Sequence, residues 1–210
     1  VGGFYPPKKI FIDLKFLDSL STEDLKSGFG EMCHYFIVAG PKDFKQYVHD
    51  YENAYKDSRV LARMVSKSLK IKKSYIEIDE FDQNKRQVFN YGHTFGHAIE
   101  SLTDYTVPHG IAVSFGMDMA NFISVKKKYI SMEIRYEIRE LLEKIWLNYN
   151  IKDINVEKFA LALSKDKKNI GDELRLILCK GYGNIFKDSQ YIDKEFKGWL
   201  KEYFDKELNY

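Results

Sequence analysis

Between Arg86 and Gly110 the chain reads RQVFNYGHTFGHAIESLTDYTVPHG, and three of its five histidines, His93, His97 and His109, lie in that stretch. His93 and His97 are four residues apart, so a helix here presents both imidazoles on one side. Gly92 and Gly96 repeat the same spacing, which lets another backbone or a ligand approach that helix closely. A fold for this chain must therefore supply a near neighbour to a histidine-bearing helix.

Imidazole is the commonest protein ligand for metals and also serves as acid, base or donor to anions. His109 follows a loop, Thr103 to Pro108, and opens a further helix. Glu31, behind the glycine-rich SGFG, is a candidate carboxylate. Nitrogen and oxygen ligands of this kind suit zinc or a similar first-row ion, and three protein ligands with an open position form the catalytic pattern. The alternative is a set of core histidines bonded to backbone. Spacing alone leaves open which two or three of them hold a metal.

The rest of the chain reads as mainly α. Lys8 to Leu17 (KKIFIDLKFL) carries strand-like β-branched and aromatic content, without an obvious partner. An unpaired strand leaves backbone groups unsatisfied. Residues 1–17 are thus expected to be a strand remnant of another domain, and 18–210 a helical metal- and substrate-binding domain. Ser21 with Asp24 predicts an N-cap. Gly28 and Gly30 predict an interruption before a helix ending near Gly40-Pro41, and Asp43 to Leu69 has helical periodicity. Phe89 to Leu102 is expected as one helix, residues 172 to 183 as a hairpin arm, and Lys187 to Leu208 as a last helix.

Of 210 residues, 33 are basic and 31 acidic, a formal charge of +2. That balance offers no electrostatic footprint for nucleic acid or an anionic membrane. No apolar run approaches the ~20 residues that span a bilayer. Cys33 and Cys179 are too few for a disulfide scaffold. A cytoplasmic protein is the expectation.

NYGHTFGHAIE followed by PHGIAVSFGM closely resembles the signature of 3-dehydroquinate synthases and related sugar-phosphate cyclases. GFGEMCHY, KKSYIEIDEFDQNKR and SKDKKNIGDELRLILCKGYG resemble further segments of that family, so the likeness spans essentially the whole chain. It implies the C-terminal helical domain of an α/β + α two-domain enzyme. Such an enzyme converts a sugar phosphate, such as 3-deoxy-arabino-heptulosonate 7-phosphate, to a carbocycle with phosphate elimination. By outcome it is a lyase of aromatic amino acid biosynthesis, commonly a homodimer.

The resemblance assigns the metal, Zn2+ or Co2+, to Glu31, His93 and His109. It moves His97 to the substrate, typically its phosphate. Arg86 and Asn90 become substrate contacts, Arg86 through bidentate carboxylate pairing. Lys72 and Lys167 match substrate-contacting lysines, and His97, Lys72 and His34 are the expected catalytic groups. Three departures stand out. His34 occupies a position where the family commonly has lysine, Ile111 replaces a glutamate after His-Gly, and Asp82 stands for glutamate. The first two leave the substrate open among sugar-phosphate cyclases. No G-x-G-x-x-G turn opening a helix occurs, so NAD+ is expected on a nucleotide-binding half preceding Val1, and the fragment alone is expected to be inactive. A metal-dependent alcohol or glycerol dehydrogenase and a non-catalytic metal-binding module are the competing readings.

Overall fold

A computed structural model describes residues 8–165 and 173–208. Eight α-helices and one β-hairpin build it. The order is α1 (Thr22–Ala39), α2 (Pro41–Ala54), α3 (Ser58–Ile76), α4 (His93–Leu102), α5 (His109–Lys126), α6 (Met132–Trp146), α7 (Val156–Ser164), the hairpin, and α8 (Lys194–Glu202). Short 3-10 turns cover Leu14–Ser19 and Lys85–Asn90, and a π turn, Tyr203–Glu207, extends α8. The hairpin pairs β1 (Glu173–Cys179) with β2 (Ile185–Tyr191) in antiparallel register, Glu173 opposite Tyr191 and Cys179 opposite Ile185. The mainly α expectation holds. Among the described residues no helix is long and apolar enough to cross a membrane.

The centre is α5, buried without a break from Gly110 to Ser124. A helix apolar on every side cannot lie on a surface, and α1, α4, α6 and β1 pack around it. Phe115 stacks on Trp146 of α6 at 4.4 Å between ring centres.

Local rules set several boundaries. Ser21 caps α1 by accepting the Asp24 amide at 3.0 Å, as its position predicts. Gly28 and Gly30 do not interrupt: α1 runs through both and ends at Gly40, whose φ of 118° is one that side chains avoid. Pro41 then starts α2 as a helix-opening proline. The periodic run from Asp43 to Leu69 divides, because Asp57 caps a new helix by accepting the Arg59 amide. The expected helix from Phe89 divides at Gly92, whose φ of 84° is left-handed. Lys187 belongs to β2, and α8 begins only after Asp193 caps it.

The strand expected over Lys8–Leu17 is not formed. A strand needs a ladder, and the only sheet among the described residues pairs β1 with β2. Local bonds win instead. Asp13 caps the turn at Leu14–Ser19, and the Phe16 amide donates to the Asp13 carbonyl at 3.3 Å. Ile10, Phe11 and Phe16 lie exposed beside it.

Candidate metal centre

Two close helix crossings build the site. Where α1 meets α5, a Cβ on Gly30 would stand 2.1 Å from the Gly110 carbonyl oxygen. One on Gly110 would stand 1.7 Å from the Ser27 carbonyl oxygen. The Gly110 amide donates to Ser27 Oγ at 2.9 Å across this contact. Glu31 follows one glycine and His109 precedes the other, so the crossing sets carboxylate against imidazole. Gly92 brings in the third group, since its Cβ would meet the Val113 carbonyl at 2.6 Å, and α4 therefore starts at His93 hard against α5.

The three side chains converge on one oxygen. Glu31 Oε2 lies 3.3 Å from His93 Nε2 and 3.5 Å from His109 Nε2. This oxygen is buried and makes no well-aimed hydrogen bond. A tetrahedral ion with bonds of about 2.0–2.1 Å separates its ligand atoms by roughly 3.3–3.4 Å. Both carboxylate–imidazole gaps are of that size, and the donor types, one carboxylate oxygen and two imidazole nitrogens, suit a small divalent cation.

The outward atom of each group is held from behind. Glu31 Oε1 is 3.3 Å from His34 Nε2. His93 Nδ1 is 3.4 Å from the Tyr91 carbonyl oxygen. His109 Nδ1 is 3.2 and 3.1 Å from the two Glu100 oxygens. A carbonyl or carboxylate can only accept from Nδ1–H, and in a neutral ring that turns the Nε2 lone pair inward. Such outer partners orient metal ligands and raise their basicity.

The charges agree. Burial works to raise the Glu31 pKa, but the closeness of His109, His34 and His93 outweighs it and holds the carboxyl well below the usual range. The hydrogen bond to Glu31, with help from Glu100 and against burial, pushes His109 up to about 9. Burial takes His34 down to about 4, Glu31 opposing. Two carboxylates around one imidazole make this a place that attracts positive charge.

Other groupings are possible by proximity: Glu31, His34 and His93 form one cluster within 4.8 Å, and His97, Glu100 and His109 another. His34 reaches the opposite oxygen of Glu31, and Glu100 faces the nitrogen of His109 that points away from Glu31.

The other expected site residues lie around this point. His97 is exposed on α4, its ring 5.6 Å from His93 and 5.8 Å from His109. Lys72 of α3 stands 5.7 Å over the Tyr35 ring, and its charge is felt by His34. Arg86 donates to the Glu80 carbonyl, and its charge is felt by Tyr35. Asn90 donates to the Gln87 carbonyl and lines a cavity of about 190 Å³ with Thr94, Arg175 and Lys187. His34 is wholly buried, turned to Glu31 and edge-on to the His93 ring at 5.2 Å between centres. Lys167 lies outside the described residues. Sequence reasoning gave Glu100 no role, because the fold-back that sets it behind His109 leaves no periodic signal.

A helical domain with a two-histidine, one-carboxylate centre beside an exposed histidine is the class defined so far. Residues 28–169 match the 3-dehydroquinate synthase C-terminal family, and the chain belongs to that family. The 3-dehydroquinate synthase of Helicobacter pylori is 36% identical over 197 residues, covering 93% of this chain and 55% of the relative. That of Syntrophotalea carbinolica is 34% identical over 187 residues, covering 88% and 51%. The chain thus spans about half the length of these curated relatives. Among solved structures, 2-deoxy-scyllo-inosose synthase with carbaglucose-6-phosphate, NAD+ and Co2+ superposes with a TM-score of 0.78 at 22% identity, over 97% of this chain and 58% of that one. The 2-epi-5-epi-valiolone synthase of Streptomyces hygroscopicus subsp. jinggangensis, with NAD+ and Zn2+, gives 0.78 at 16% identity, over 95% and 56%. At those identities the likeness shows the fold.

Proposed function

We propose that this chain is the metal- and substrate-binding domain of a 3-dehydroquinate synthase-like cyclase, with Glu31, His93 and His109 as ligands of a divalent ion, Zn2+ or Co2+. The observation carrying the reading is the inward turn of Glu31 Oε2, His93 Nε2 and His109 Nε2, each group's other polar atom being held from behind. Three protein ligands leave a position for substrate oxygens.

A bound divalent ion supplies Lewis acidity to substrate hydroxyl and carbonyl oxygens, and NAD+ supplies reversible hydride transfer. The chain's own residues bind and orient. His97, exposed beside the centre, can donate to a phosphate oxygen. Arg86 offers a guanidinium fork for a carboxylate, and Lys72 a point charge. Asn90 offers an amide to a hydroxyl. Among the described residues no glycine-rich turn leads from a strand into a helix, the arrangement that cradles a pyrophosphate. The proposal therefore assigns NAD+ to a second domain, of the kind for which the greater length of the relatives leaves room.

Two measurements test this. His109→Ala should lose most bound zinc, whereas His97→Ala should keep it while weakening phosphate-ester binding. Equal metal loss in both would instead favour a site built on the i, i+4 pair of α4. The enzyme with its nucleotide-binding domain should release phosphate from a seven-carbon sugar phosphate when NAD+ is present. A panel of such esters decides which cyclase this is, and no release from any of them returns the choice to the dehydrogenase or the binding module.

A further inference from the structure

We propose that His34 is a positioning residue: its Nε2–H fixes Glu31 Oε1, so that only Oε2 turns toward His93 and His109. This inference rests on the metal-centre reading above and goes further by assigning the carboxylate's coordination to a neighbour that does not touch substrate.

The geometry points this way for three reasons. First, Glu31 and His34 are three residues apart on α1, which places them on one face. The two oxygens of Glu31 are divided between them and the other imidazoles. Oε1 is 3.3 Å from His34, while Oε2 is 3.3 Å from His93 and 3.5 Å from His109. A glutamate on its flexible stem can otherwise present either oxygen, or both, to a cation. Holding Oε1 removes that choice before the cation arrives.

Second, the His34 ring is fixed. It is fully buried, packed against Tyr35 at 3.9 Å and Phe89 at 5.8 Å between ring centres. Tyr35 and Phe89 also pack on each other at 4.7 Å. An imidazole boxed in by aromatic rings cannot swing out to the open side where His97 stands. Its one polar contact with the site is Glu31, and it meets the His93 ring edge-on at 5.2 Å between centres.

Third, the unused nitrogen settles the tautomer. His34 Nδ1 is buried without a hydrogen-bond partner. A proton on Nδ1 would be a buried donor with no acceptor, and it would aim the Nε2 lone pair at a carboxylate oxygen. Both are unfavourable. A proton on Nε2 satisfies Glu31 and leaves only an idle acceptor behind.

The test uses Co2+ as probe, read by its visible spectrum and by competition with a chelating dye. His34→Phe keeps a ring in the aromatic box without a donor, and should weaken Co2+ binding by about 10- to 100-fold, the usual effect of losing an outer partner. His34→Gln places an amide N–H where Nε2–H was. It should bind within about threefold of the native chain, with an unchanged Co2+ spectrum, because the ligands stay the same. In a Glu31→Ala background, His34→Phe should change the residual affinity by less than about twofold, since a residue acting through Glu31 has nothing left to act on. Circular dichroism of the metal-free variants checks folding, and His34→Leu replaces the phenylalanine variant should that one fail to fold. Native-like binding by His34→Phe overturns the proposal. So does a glutamine variant as weak as the phenylalanine one with an altered spectrum, which would make His34 a direct ligand. Failure of the underlying reading looks different: His93→Ala and His109→Ala would then bind Co2+ as the native chain does.

Discussion

Glu100 sets the orientation of His109 from behind, with both its oxygens within 3.2 Å of Nδ1. A carboxylate on the far nitrogen fixes the ring and strengthens its near nitrogen as a ligand. Glu100→Ala should therefore lower zinc affinity by about 10- to 100-fold while the metal-free protein melts as before. Isothermal titration with Zn2+ measures the first effect and a thermal melt the second. An unchanged zinc affinity would mean that His109 needs no support. His93 gets its support from the Tyr91 carbonyl, which no side-chain substitution removes. This difference explains what could be read beforehand. His93, His97 and His109 stand out in the sequence because imidazoles are rare and their spacing is helical. Glu100 is one glutamate among many acidic residues, and only the turn from Thr103 to Pro108 carries His109 back over it. Glu31 stood out as a candidate carboxylate behind SGFG, but the division of roles between His97 and the other histidines came from family likeness, since spacing alone left it open. Lys167 lies outside the described residues.

At the scale of elements, the centre depends on how near α1 and α5 come. Glycine on both sides allows it, at Gly30 and Gly110, and a side chain on either would press into backbone that cannot yield. Overpacking of this kind costs about 1–3 kcal/mol, and more where backbone must move. Gly110→Ala should thus lower the melting temperature and, by parting Glu31 from His109, weaken Co2+ binding at least tenfold. Gly28, two residues before Gly30 on α1, is the internal control. A Cβ there meets nothing within 4 Å, so Gly28→Ala should leave metal binding alone and stabilise the helix by up to about 1 kcal/mol. Melting curves and Co2+ titrations of the two variants give the comparison, and equal behaviour would refute the crossing as the cause. From sequence Gly28 and Gly30 looked like breaks in α1. Propensity favours that view, and it loses because tertiary packing reads glycine as room. The converse misjudgement merged the segment before Gly92 with α4, since there a left-handed glycine does divide the chain, while the strand expected near the front lacked the ladder that strand-like composition cannot show.

For the molecule as a whole, the buried helix α5 must be anchored as well as packed. Asp118, fully buried in its middle, accepts from Arg135 Nε at 3.0 Å and Nη2 at 2.9 Å, from Arg139 Nη1 at 3.0 Å and from the Tyr203 hydroxyl at 2.9 Å. Arg135 also reaches Glu207 at 2.8 Å. One carboxylate thereby ties α5 to the next helix, α6, and to the π turn after α8, far along the sequence. Two buried guanidiniums need that charge, and taking away one partner of a buried pair costs about 3–5 kcal/mol. In a chain of this size each kcal/mol moves the melting point by roughly 2–4 °C, so Asp118→Asn should melt about 6–20 °C lower. The metal centre should be spared. Asp118 lies nine residues along α5 from His109, about 13 Å at 1.5 Å per residue, and shares no partner with the ligands. Saturating Zn2+ should accordingly raise the melting point of the variant by a margin similar to that of the native chain, because a ligand of the folded state stabilises by its affinity and concentration alone. Scanning calorimetry with and without Zn2+ separates the two. A variant that loses its zinc response along with its stability would show that the anchor and the metal centre are one cooperative unit, joined through α5.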